Sequence, residues 1–275
     1  MLKRLVLFFC LIITLKGNAQ DLYNLQSSIL FAEYLFKTQQ YDYAAKEYER
    51  ILFLNPKNDT IKLNLIISYR KTGNFSLAIS RAEQLYTSIS FYPPPFSLEY
   101  SKLLLADASH DKLKLFLESN ASLEEQDKIQ LELTSELFNR NWSAAQILQR
   151  KLDSLHFVSN ETYKNIIEEG MNLKYKSPAL AVGLSAIVPG SGKFYTKDWK
   201  DGLISLIGIS ASTFQSYRGF SKYGTSSGRG WVYGGLALGL YAGNLYGSHK
   251  AAKRYNSKLN ENSHKKVKDL FNNSF

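Results

Sequence analysis

The chain has 275 residues and a formal net charge of +10, from 34 Lys and Arg against 24 Asp and Glu. Its single cysteine, Cys10, excludes internal disulfides and cysteine-ligated zinc. The charge is unevenly placed: residues 20–172 hold 16 basic and 20 acidic side chains, a net of −4, whereas residues 173–275 hold 15 and 4, a net of +11.

At the N-terminus, Lys3 and Arg4 precede an unbroken apolar run over 5–15, and Gly17 and Ala19 stand at the minus-three and minus-one positions of a cut after Ala19. This order predicts a secretory signal peptide over 1–19, which would carry Cys10 away with it. An exported chain rarely meets nucleic acid, so the basic C-terminal part points to anionic lipid head groups instead.

From residue 20 to 172 the sequence repeats itself. An aromatic three residues before an alanine recurs at Tyr41 and Ala44, Phe75 and Ala78, and Trp142 and Ala145. The first two pairs are 34 residues apart and the third lies 67 beyond the second, so one degenerate unit should fill the gap. With Ala32, Tyr48, Asn55-Pro56, Tyr69 and Gly73, these residues resemble the tetratricopeptide repeat. That resemblance implies antiparallel helix pairs stacked into a solenoid, because each pair has an apolar face it cannot bury alone.

Helices are expected over about 22–38, 41–54, 58–72, 75–89, 96–107, 109–119, 122–139, 142–155 and 160–172. Pro93, Pro94 and Pro95 are expected to break the array between the second and third pairs. In the resembling family the first helix of each pair lines a concave face, which here would carry Glu33, Lys37, Leu63, Ile67, Arg70 and Lys71. That face reads either as a groove in which Lys37, Arg70 and Lys71 take acidic groups of a protein partner, or as an ordinary solvated helix surface.

Residues 177–255 have a different character: there is no acidic residue between 202 and 260, and apolar stretches run over 179–188, 203–214 and 231–247. A full membrane span needs roughly 20 apolar residues, so only the last stretch is long enough alone. Gly235, Gly239, Gly243 and Gly247 recur every fourth residue and form one helix stripe, the pattern that lets helices approach closely in lipid. Membrane helices, amphipathic attachment and a glycine-rich buried helix are all compatible with this pattern.

The run Pro189-Gly190-x-Gly192-x-x-Tyr195, followed by Asp201-Gly202, resembles the helix-loop-helix of small membrane domains in uncharacterised bacterial envelope proteins. The resemblance implies membrane association and no known catalysis. Read as a phosphate loop the run fails, because Ile187 and Phe194 occupy the positions of an obligatory glycine and hydroxyl.

The four histidines, His110, His156, His249 and His264, lie in unrelated segments and give no ligand spacing for a metal. No catalytic residue, metal site or cofactor is expected. The sequence thus predicts an all-α protein: a signal peptide (1–19), a tetratricopeptide-like domain (20–172), a hydrophobic helical hairpin or triplet (177–255) and a basic tail (256–275). As a functional expectation this is an exported, non-enzymatic adaptor anchored in the inner membrane by a transmembrane helix. Its repeats would face the periplasm and bind a protein partner in envelope or membrane-protein assembly, and homo-oligomers are compatible with the glycine stripe. A small component of a transport or insertion system, or a soluble secreted interaction protein, are the alternatives.

Overall fold

The computed structural model describes residues 24–155 and 160–274; the expected signal peptide, Cys10 and His156 lie outside them. Among the described residues the protein is all-helical, with thirteen α-helices, two short 3-10 turns and no strand. It divides into two compact units between Ser135 and Glu136. The sequence expectation placed the domain boundary between 172 and 177.

The first unit contains α1 (Leu25–Lys37), α2 (Tyr41–Leu54), α3 (Asp59–Lys71), α4 (Phe75–Leu85), α5 (Pro94–Ala106), α6 (His110–Ser119) and the start of α7 (Glu125–Phe138). Asn24 and Asn58 cap α1 and α3, each side-chain oxygen accepting a backbone N–H three residues on, at 2.8 and 3.1 Å. From α1 to α6 each helix packs on its successor, and α3 also packs on α5. The core is made of large apolar side chains set against small ones: Ala32, Ala44, Tyr48, Ile51 and Leu65 are almost wholly buried. Burying such side chains stabilises by about 1.5–3 kcal/mol each.

One turn recurs at nearly constant spacing. Gln39, Gly73, Ala108 and Arg140 all have positive φ, between 57° and 80°, and each stands two residues before the next helix. In every case the following residue donates its N–H to a carbonyl five residues back: Gln40 to Leu35, Asn74 to Tyr69, Ser109 to Leu104 and Asn141 to Glu136, at 2.9–3.1 Å. This is the left-handed C-cap that closes one helix and aims the next. In the sequence gap, the helix after the Ala108 turn begins at His110, and the residue three positions on is the buried Leu113 rather than an alanine.

Two expectations about the proline run need correction. Pro94 and Pro95 do not precede the helix but form its first turn, where the missing N–H costs nothing. Nor does the run interrupt packing, because Tyr92 is buried among Tyr86, Phe96, Tyr100 and Phe116, with ring centroids 5.3, 4.9, 5.4 and 6.1 Å away. Its hydroxyl donates to the Ala82 carbonyl at 3.3 Å. Helix α4 is shorter than expected and ends at Leu85, with a 3-10 turn over Ile89–Phe91 before Tyr92.

The second unit contains the end of α7, α8 (Trp142–Ser154), α9 (Asn160–Met171), α10 (Pro178–Ile187), α11 (Ser191–Tyr195), α12 (Trp199–Tyr223) and α13 (Gly228–Ser274). Helices α12 and α13 pack along each other, and α10, α11 and α9 also contact α13. Instead of a separate tail over 256–275, α13 runs on for 47 residues, because no glycine or proline follows Gly247. Its last turns are held by buried Val267, Leu270 and Phe271, one face at helical spacing. The Phe271 ring meets Phe138 edge-on at 6.1 Å, and Lys266 pairs with Glu169.

Candidate functional site

Of the basic residues expected to meet a partner in the first unit, Lys37 and Lys71 are exposed, but Arg70 is occupied. Its guanidinium forms an ion pair with Glu99 of α5, Nη2 donating to Oε2 at 3.3 Å, and the two side chains are only 12% and 5% exposed. Lys102, one helical turn beyond Glu99, places Nζ 3.9 Å from the same carboxylate. Burial holds the Lys102 ammonium below its ordinary pKa, partly offset by Glu99. Burial, reinforced by Glu124, holds the Asp127 carboxyl above its own. Arg70, Glu99 and Lys102 are therefore a structural network joining α3 to α5. The sequence signal was Glu99 and Lys102 at i, i+3 inside an otherwise apolar helix.

In the second unit the motif residues come together. Asn244 of α13, almost fully buried, accepts the Gly190 N–H at 3.1 Å and donates to the Ser185 carbonyl at 3.3 Å. Ser185 Oγ accepts the Gly192 N–H at 2.9 Å and lies 2.7 Å from Ser248 Oγ. The tight packing explains the glycines: a Cβ on Gly192 would lie 1.9 Å from the Ala181 carbonyl oxygen, and one on Gly190, whose φ is +87°, would lie 2.2 Å from that of Gly202. Tyr195 Oη accepts the Ser177 N–H at 3.3 Å and carries the Lys176 ammonium 4.4 Å above its ring. Asp201 lies exposed in the first turn of α12, where a carboxylate complements the helix dipole, and Pro189 leads into the Gly190 turn. The motif thus locks α10, α11, α12 and α13 together.

The glycine stripe does not do so. An added Cβ on Gly235, Gly239 or Gly243 meets nothing within 4 Å, and only Gly247 has a neighbour, the Lys193 side chain at 3.1 Å. Close packing of α12 on α13 falls instead on Gly219 and Gly230, where a Cβ on Gly219 would approach the Gly230 nitrogen to 2.7 Å. The stripe faces outward because α13 turns its buried positions, Gly230, Asn244, Ser248, Ala251 and Ala252, toward its neighbours.

What distinguishes this part of the chain is which side chains face out. Helix α12 buries Gly202, Ile209, Ser212, Ser216 and Gly219, and exposes Leu203, Ile204, Ile207 and Phe214. Helix α10 buries Ala181 and Ser185 while Leu180 and Ile187 face outward. Along α13, Val232, Leu236 and Leu238 are exposed. Exposure reaches 83% for Ile187, 70% for Ile204 and 72% for Leu238. The first unit also exposes large apolar side chains, Phe53 at 86% among them, but fills its interior with bulky aliphatic ones, whereas α10 and α12 bury mostly small residues. Aromatic and basic residues edge this surface: Trp199 and Lys200 at one end of α12, and Tyr217, Arg218, Lys222 and Tyr223 at the other.

The expected transmembrane helix is not found: no helix among the described residues is long and apolar enough to cross a membrane. The physical reason lies in composition, since serine, glycine, tyrosine and Asn244 dilute the apolar residues of α12 and α13. Among the described residues no three His, Cys, Asp or Glu side chains gather where they would hold a metal ion. No protein-family model, curated protein or solved structure matches the chain.

Proposed function

We propose that this protein is an exported, non-enzymatic helical adaptor, attached to a membrane by the outward apolar face of α10, α12 and the first half of α13. The observation that carries the reading is the side-chain distribution of α10, α12 and the first half of α13, whose large apolar residues face out while small ones fill the helix interfaces. In water, leaving large apolar side chains outside while serine and glycine fill the helix interfaces forfeits about 25 cal/mol per Å² of apolar surface. In lipid the same distribution is favourable, because small residues drive helix packing and apolar ones meet acyl chains. The aromatic and basic residues at the edges of the face suit the membrane–water interface.

For the first unit the proposal is a tetratricopeptide-like solenoid that holds a protein partner. It is supported by the turns at residues 39, 73 and 108, which return at intervals close to the 34-residue repeat. Lys37 and Lys71 are the exposed cations on the first helices of the pairs and suit acidic groups of the partner; Arg70 is withdrawn from that role by Glu99. By analogy of architecture the process served is envelope or membrane-protein assembly, with the repeats on the periplasmic side of the inner membrane.

The test is fractionation of cells expressing the full chain, with alkaline carbonate extraction and protease access to the repeat region. Retention in the membrane pellet with external cleavage of the repeats is the expected result. Release into the soluble fraction would overturn the attachment.

A further inference from the structure

We infer that the groove between the Thr196–Asp198 turn and the Arg254–Lys258 segment of α13 binds the phosphate of an anionic phospholipid. The inference rests on the membrane attachment proposed above and names the lipid chemistry it selects. The groove has a volume of about 530 Å³, and Thr196, Lys197, Asp198, Arg254, Lys258 and Asn262 contribute its polar lining. Three cations there face one carboxylate, and that carboxylate is already engaged by Arg254. The pair holds the guanidinium at the groove and leaves two charges over, because the Lys197 and Lys258 side chains have no ion-pair or hydrogen-bond partner among the described residues. Asn262 adds an amide suited to a phosphate oxygen, whereas the Thr196 hydroxyl already donates to the Lys193 carbonyl at 3.0 Å.

The surroundings specify a lipid rather than a free anion. Lys197 lies two residues before α12 begins, next to the exposed Trp199, and the apolar surface opens at Leu203 and Ile204. Trp199 and Ile204 are separated along the helix by about 8 Å at 1.5 Å per residue. A phospholipid whose chains cover Leu203 and Ile204 therefore brings its phosphate to the level of the groove. The adjoining stretch of α13 adds Lys250 and Lys253, and the nearest acidic residues in sequence besides Asp198 are Asp201 and Glu261.

The experiment is flotation of the full chain with vesicles of phosphatidylcholine alone, or of equal parts phosphatidylcholine and phosphatidylglycerol. The parent protein is expected to bind both and to prefer the anionic vesicles. The double variant Lys197→Gln/Lys258→Gln should lose that preference by about fivefold per lysine, roughly 25-fold together, while binding to phosphatidylcholine is unchanged. The control Lys265→Gln/Lys268→Gln removes the same charge further along α13 and should lose much less. Equal losses in both variants would mean diffuse attraction and overturn the groove, as would a parent protein without anionic preference. Binding to neither vesicle would overturn the membrane attachment and the groove with it. Full competition by excess inorganic phosphate, absent with chloride at matched ionic strength, would make this a free-phosphate site and overturn the lipid assignment.

Discussion

Two glycine-to-alanine substitutions in the second unit should act with opposite sign. At Gly192 the new methyl would sit 1.9 Å from the Ala181 carbonyl oxygen and 2.7 Å from Ser185 Oγ. The first of these is a backbone atom and cannot rotate away, so α10 and α11 must separate. Overpacking costs up to about 3 kcal/mol, and weakening the Gly192–Ser185 hydrogen bond adds about 1 kcal/mol. Against this, alanine gains about 1 kcal/mol over glycine in a helix. The net expectation for Gly192→Ala is thus a loss of about 3 kcal/mol. At Gly239 nothing lies within 4 Å of the new methyl, so only the propensity gain remains and Gly239→Ala should stabilise by up to about 1 kcal/mol.

Urea unfolding followed by tryptophan fluorescence isolates the relevant unit, because Trp142, Trp199 and Trp231 all lie beyond the division at Ser135. Midpoints that shift the same way in both variants would refute the reasoning. So would a destabilised Gly239→Ala alone, since it would mean that the outward stripe is tightly packed against another surface.

Asn244→Ala removes the acceptor of the Gly190 N–H and the donor to Ser185; leaving those buried groups unpaired should cost about 2–4 kcal/mol in the same unfolding assay. In the first unit, Glu99→Leu should cost about 3–5 kcal/mol by leaving the Arg70 and Lys102 cations without their carboxylate. Arg70→Met should cost less, because Lys102 still faces Glu99, and the double variant should cost less than the sum of the two in a denaturation cycle. Tyr86→Phe deletes the 2.8 Å hydrogen bond to Asp59, the largest of the influences, Lys62 among them, that hold that carboxyl below its ordinary pKa. A depressed carboxylate stabilises the fold above its unfolded pKa and loses that contribution as pH falls through the folded value. The variant should therefore be about 1 kcal/mol weaker at neutral pH, with the gap to the parent closing below the ordinary pKa of 3.8 when unfolding is followed across pH.

Several helix limits were legible, since α2 matches the sequence expectation at both ends and α8 and α9 begin where expected, whereas α1 starts at Leu25 after its Asn24 cap, three residues later than expected. The start of α5 was misplaced because proline is a breaker inside a helix but a good first-turn residue, and sequence position alone does not separate the two. The continuity of α13 through the tail was missed because hydropathy says little about a helix with only one narrow buried face, whereas the absence of glycine and proline after Gly247 speaks directly to continuity. Arg70 was misjudged for another reason. Whether a cation is free depends on what lies across the helix interface, and Glu99 is 29 residues away in sequence. The glycine stripe showed which residues share a face, but a period cannot say whether that face turns inward.

The recurring turn separates what the motifs do from what the protein does. Lys197 has a φ of 64°, and Asp198 donates to the Lys193 carbonyl at 2.8 Å, so the α11–α12 connection repeats the geometry found at Gln39, Gly73, Ala108 and Arg140. Each of these turns hands over to a helix that starts with Tyr41, Phe75, His110, Trp142 or Trp199. Three residues on, the small partner is Ala44, Ala78 and Ala145 in three of the helices but Gly202 in α12, where an added methyl would sit 3.0 Å from the Gly190 carbonyl oxygen. The Pro-Gly-x-Gly-x-x-Tyr run and its Asp-Gly partner are thus explained, residue by residue, as a packing rule for four helices. Apart from the exposed Asp201 carboxylate, their polar groups are used within the bundle, so the chemistry open to a ligand comes mainly from what the bundle turns outward: an apolar face edged with tryptophan, tyrosine, lysine and arginine.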